Sequence, residues 1–213
     1  MADESSRKKS GRPRVLHEHD IVAAALAEGL LDATMPAVAR RLGVSHSALY
    51  RYCADRNALL QACIAQAVTS MPWPDPEEPW RTMLPKLAET TWAMLARYPG
   101  LTETMLTATR SPEELTILAE KFVGGLVRQG FTAQDAILAI ELIGDLTLTT
   151  FTAMQRLDAP VEGGGTARDL ARQDWVRPGV LSDALADEAL WHGRGALDNK
   201  VALLIDGFAQ RVT

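Results

Sequence analysis

Cysteine is scarce in this 213-residue chain, which has only Cys53 and Cys63. Two are too few for a disulfide framework or a metal ribbon, and a reducing cytoplasm is the simplest compartment. The four histidines, His17, His19, His46 and His192, make no metal pattern. His17 and His19 are two apart and so belong to different faces of a helix. No apolar run reaches the ~18 residues of a membrane span. The opening MADESSRKKSGRPR is charged and no apolar stretch follows it, unlike a secretory signal. A Walker sequence, a nucleotide-binding glycine fingerprint and a Gly-x-Ser-x-Gly elbow are all missing. No acidic pair is recognisable as catalytic. The chain therefore gives no reason to expect an enzyme, a cofactor or a metal.

What is present is an uneven charge and a helical pattern. The net charge is −5, yet residues 1–57 hold nine basic against seven acidic side chains, so the excess acid lies in the remainder. A basic end on an acidic body points to a polyanion partner at that end, or to a solvated basic tail. Beyond residue 14 the apolar spacing is close to 3.6, and no segment sustains strand alternation. The fold class expected is all-α.

Helices are expected at about 17–31, 35–42, 46–52, from Asp55 through Val68, and at 80–97, 102–109, 112–129, 132–156, 182–191 and 197–212. Thr34 and Asp55 are caps, and Pro36 sits in a first turn. Ser111-Pro112-Glu113-Glu114 reads as a capping box. The proline-rich residues 71–79 read as a linker or sharp joint, and residues 158–180, with three successive glycines, as a loop. Gly124-Gly125 inside a helix costs roughly 1 kcal/mol per residue against alanine, for close packing or a bend. Three parts follow: a basic arm (1–14) too polar for a core, a first helical part (15–62) and a larger helical part (63–213).

Residues 34–52, TMPAVARRLGVSHSALYRY, meet the demands of a helix-turn-helix. The tight turn needs a residue tolerant of positive φ, which is Gly43. The crossing helices need a small residue four earlier, which is Ala39. Val38, Leu42, Val44 and Leu49 supply the shared core. The second helix then presents its N-terminal residues to base edges in a major groove. His46 and Ser47 stand there, with Tyr50 and Arg51 on the next turn. Arg51 suits a bidentate contact to guanine, worth ~1–3 kcal/mol of discrimination. Tyr52 reads more naturally as core. Arg56, in the first turn of the next helix, suits a phosphate. Arg12 and Arg14 in the arm suit a narrow minor groove.

From Gly11 to about Val68, and above all in LGVSHSALYRYCADRNALL, the chain resembles the tetracycline-repressor (TetR) family. Its ending, LDNKVALLIDGFAQRV, resembles the last dimerisation helix of the subgroup with a tetracycline-repressor C-terminal domain. The resemblance implies an all-α homodimer that binds a palindromic operator and is released by a small molecule. By position it implies DNA contacts from Thr34, Ser45, His46, Ser47, Ala48, Tyr50, Arg51, Tyr52 and Arg56. The helix from Asp55 would be the lever between the two parts. Cys53 departs from the pattern, where a larger apolar residue is usual, as does Met35-Pro36, where polar contacts are usual.

The dimer interface is expected on two apolar stripes, Ile140, Gly144, Thr147 and Phe151 on one helix and Val201, Leu204, Ile205 and Phe208 on the last, unless both are buried within one subunit. The ligand is expected among Trp92, Met105, Phe122, Phe151 and Trp175. Glu141 and Asp145, one turn apart, either meet a cationic ligand or form a solvated face, the plainer reading. Other classes left open are a ligand-binding protein without an operator and a small helical enzyme.

Overall fold

The computed structural model describes residues 16–175 and 178–212, which are helical apart from turns and one isolated bridge, Pro160 to Thr166. The first part holds α1 (Glu18–Glu28), α2 (Met35–Leu42), α3 (His46–Leu49) and α4 (Arg56–Thr69). The second holds α5 (Trp80–Arg97), α6 (Leu101–Thr107), α7 (Glu113–Arg128), α8 (Ala133–Leu157), α9 (Ala167–Trp175), α10 (Val180–Ala184) and α11 (Leu197–Ala209), with a 3-10 turn at Glu188–Leu190.

The first core gathers Ile21, Ala25, Leu30, Val38, Leu49, Leu59, Cys63 and Ile64, all nearly or fully buried, and continues to Met94, Leu95 and Leu101 of the second part. Full burial of such a side chain contributes about 1.5–3 kcal/mol. The second core lies where α5, α7, α8 and α11 meet, around Met83, Leu84, Phe122, Leu126, Ala139, Ile143, Leu197 and Phe208. Trp73, Trp92 and Leu118 pack against both. Helix α4 runs unbroken across residue 62, so it belongs to both parts.

The proline-rich joint is pinned rather than loose. The Trp80 amide donates to Gln129 Oε1 at 2.7 Å, and Gln129 Nε2 donates to the Glu78 carbonyl at 3.0 Å. Arg128 pairs with Glu77. A Cβ on Gly125 would lie 2.2 Å from the Pro76 carbonyl oxygen. Close packing of the joint on α7 thus explains Gly125.

Several boundaries differ from expectation. Helix α1 ends at Gly29 (φ 85°), three residues early. His17 precedes it as its cap, so the His17 and His19 rings stack at 5.3 Å instead of diverging. Helix α3 stops at Leu49, whose carbonyl accepts from the Tyr52 and Cys53 amides in a turn. At the head of α7 the cap is Pro112, with no side-chain cap bond, so Ser111 builds no capping box. Within 158–180, α9 forms because Asp169 accepts from both the amide and the hydroxyl of Thr166, at 2.7 and 2.9 Å. The helix expected at 182–191 is split into α10 and the 3-10 turn.

By length and mean hydropathy (1.5), α8 is apolar enough to cross a membrane. The acids Asp135, Glu141 and Asp145 interrupt it, and α5, α7, α9 and α11 pack around it. Its start is fixed twice: Thr132 caps it, and Arg211 at the end of α11 donates to Asp135 Oδ1 at 2.8 Å. That guanidinium, ahead of the Thr132 hydroxyl, holds the Asp135 carboxyl below the usual range.

Candidate nucleic-acid interface and ligand cavity

The turn between α2 and α3 is made by Gly43 at φ 68°, ψ 30°, a left-handed conformation that costs a residue with a Cβ. The Val44 amide then closes on the Ala39 carbonyl at 3.1 Å. Val38 and Leu49 are fully buried, Ala39 is nearly so, and Leu42 and Val44 pack on the same core. With Leu49 pointing inward, the opposite side of α3 is free. His46, Ser47, Tyr50, Arg51 and Tyr52 are exposed, and Ala48 is half-buried. Tyr52, read from sequence as core, is 41% exposed. His46 meets Tyr50 edge-on at 4.9 Å, and the Ser45 and Ser47 hydroxyls are 3.1 Å apart. Thr34 caps α2 by accepting from the Ala37 amide at 3.3 Å.

Arg56 does not simply reach outward. Its Nε donates to the Ala33 carbonyl, and its Nη2 to the Leu30 and Leu31 carbonyls, at 3.1, 3.1 and 3.3 Å. The guanidinium fastens the start of α4 to the α1–α2 turn, whose carbonyls lack helical partners. The phosphate contact expected of it competes with that clasp. Arg12 and Arg14 lie outside the described residues.

A cavity of about 210 Å³ opens between α5, α6, α7 and α8. Its wall is mainly apolar, with Leu87, Met94, Met105, Leu118, Phe122 and Ile140 among the lining residues. Thr91, Glu141 and Asp145 are the polar members, and among the described residues no basic side chain lines it. Of the five residues expected to hold a ligand, Met105 and Phe122 are there. Trp92 and Phe151 instead pack edge-on at 4.9 Å in the core. Trp175, at the end of α9, is 59% exposed and outside the cavity. Trp191 is buried, with its indole N–H donated to the Leu185 carbonyl at 2.9 Å. A roomier cleft of about 410 Å³ between α1, α4 and α7 is wide open and lined by Glu18, His19, Gln61, Gln66 and Glu114 among others. It encloses far less apolar wall than a ligand site needs.

The family model described as bacterial regulatory proteins, tetR family, matches residues 21–63. The one described as tetracyclin repressor-like, C-terminal domain, matches residues 73–193, more than half of the chain. The chain belongs to the TetR family. A comparison with curated protein sequences finds no match. Among solved structures it is similar to the Streptomyces coelicolor protein ActR in complex with (S)-DNPA, at 17% identity and TM-score 0.74, covering 93% of this chain and all of that one. It is likewise similar to a possible TetR family transcriptional regulator from Streptomyces coelicolor A3(2), at 23% identity and TM-score 0.74, covering 92% and 100%. BioQ with its double-stranded DNA operator matches at 22% identity and TM-score 0.59, covering 81% and 99%.

TetR-family regulators are homodimers, and within one chain the residues expected at the interface divide between buried and open positions. Thr147, Phe151, Val201 and Phe208 are buried inside a single chain. Ile140 and Gly144 line the cavity. Leu204 and Ile205 are half-buried on α11. An apolar face left open lies beside them, where Leu138, Leu142, Leu203, Leu204, Gly207 and Phe208 border a shallow groove of about 330 Å³. Leu203 is 74% exposed. Thr147 and Phe151 of the stripe chosen from sequence turn inward, because α8 is apolar on more than one side and periodicity alone does not say which side is covered, whereas Leu204 and Phe208 reach the groove.

Proposed function

We propose that the chain is a transcriptional repressor that binds a palindromic operator as a homodimer and leaves it when a small molecule fills the cavity between α5 and α8. The observation that carries the operator-reading part is the polar face of α3, which Gly43 and Leu49 together turn away from the core. His46, Ser47, Tyr50 and Arg51 supply donors and acceptors for base edges. Two copies joined through Leu138, Leu142 and Leu203 would set two such faces at about 34–36 Å, one turn of DNA. That BioQ is known with operator DNA and ActR with a bound small molecule supports both halves of the reading.

Ligand binding would favour a state with the wrong spacing, and DNA would weaken ligand binding by the same factor. The test is titration of a duplex retained from random DNA with wild type and with Arg51→Ala. The reading expects two chains per duplex and a loss of about 1–3 kcal/mol in the variant, confined to one base position in each half-site. A uniform loss across all sequences, or one chain per duplex, would contradict it.

A further inference from the structure

We infer that the molecule this cavity accepts is an organic cation carrying an aromatic or other apolar body. The inference rests on the reading of the cavity as the ligand site. Its wall offers apolar side chains for the body of a ligand, including Phe122, Met105 and Leu118. Its polar side chains are lopsided. Glu141 and Asp145, one turn apart on α8, both stand exposed at its edge, and neither has a side-chain partner among the described residues.

Donors are almost absent. The Trp73 indole N–H is already given to the Val68 carbonyl at 2.7 Å, which leaves the Thr91 hydroxyl as the donor among the lining side chains. An anion would meet two like charges and one hydroxyl. A neutral molecule would fill the apolar wall and gain nothing from the two carboxylates at its edge. A cation answers both, and the rings of Trp73 and Phe122 attract it further. A guest that places its positive centre between α8 carboxylates and its ring against α7 uses every feature of the lining.

The experiment compares benzyltrimethylammonium with neopentylbenzene, which has the same shape and no charge, by equilibrium dialysis against the full chain. The cation is expected to bind at least about tenfold more tightly, a difference of about 1.4 kcal/mol. The preference should shrink with added salt and vanish in Glu141→Gln/Asp145→Asn. Gly144 lines the cavity and has open space where a Cβ would stand. Gly144→Leu, with its fold checked by circular dichroism, should therefore block both probes. Equal binding of the two probes to wild type, both blocked by Gly144→Leu, overturns the charge inference and leaves the cavity as a ligand site. Tighter binding of the neutral probe also overturns the charge inference, and failure of both probes to bind, or binding unaffected by Gly144→Leu, overturns the inference and the cavity assignment together.

Discussion

The amide of Leu30 donates to the carbonyl of Pro99 at 3.2 Å, tying the turn after α1 to the corner between α5 and α6. The same turn receives Arg56 from the start of α4. The corner continues directly into α6, whose Met105 lines the cavity. On the proposed reading, a ligand that displaces α6 would act through this bond on the α1–α2 turn, next to the element that carries α3. Gln61 of α4 adds a second tie, donating to the Arg110 carbonyl at 2.7 Å in the segment after α6.

Gly100 is the tightest point of this joint. It sits at φ 82°, and a Cβ there would lie 2.9 Å from Leu31 Cγ and 3.0 Å from the Leu31 amide nitrogen. Gly100→Ala should lower stability by about 1–3 kcal/mol, measured by urea unfolding, and should weaken the effect of any cavity ligand on DNA binding. Unchanged stability and unchanged ligand response would show that the corner does not transmit.

Arg56→Ala separates a clasp from a phosphate contact. Loss of the three carbonyl partners should cost about 1–3 kcal/mol of stability, with DNA affinity falling through misplacement of α4. The slope of log affinity against log salt should stay the same. A slope reduced by about one charge would mean that Arg56 sits on a phosphate.

Leu203→Glu should convert two-chain particles to single chains in sedimentation, because it places a charge on the open apolar face of α11. Gly144→Ala, on the stripe that sequence periodicity favours, should leave the assembly unchanged. The reverse pattern would restore that stripe as the interface.

Cys63 is fully buried, and burial pushes its thiol up to about 12, with Cys53 adding a smaller push. In the unfolded chain the thiol titrates near 9. Above that pH the unfolded state loses a proton that the folded state keeps, so stability falls as pH rises toward about 12. The stability advantage of wild type over Cys63→Ala should therefore be full below pH ~8 and shrink above pH ~9. A difference that stays flat from pH 7 to 10.5 would contradict the burial argument.

How legible all this is from sequence depends on how local the determinants are. Gly43, Ala39, Val38 and Leu49 act within one supersecondary unit, and their spacing alone specifies the turn. The start of α9 is equally local, and Thr166 with Asp169 three residues later is a readable cap signal that the adjacent glycines obscure. The role of Arg56 is not local. Its partners lie 23 to 26 residues away, and a basic residue at a helix start looks the same facing a phosphate or a carbonyl. The choice between stripes on α8 is also non-local, since α5, α7, α9 and α11 decide which side is covered. Trp92 and Phe151 show that aromatic content does not separate a core from a cavity, and the exposed Trp175 shows that it does not even guarantee burial.

The central claim is that α3 reads a specific two-fold site. Selection from random duplex DNA at near-physiological salt, followed by sequencing of what is retained, tests it most directly. The account predicts an inverted repeat with half-sites one helical turn apart, about 10–10.5 base pairs or a multiple, lost when Ser47, Tyr50 and Arg51 are replaced by alanine. Retained DNA with no shared motif, bound weakly and with steep salt dependence, would contradict it.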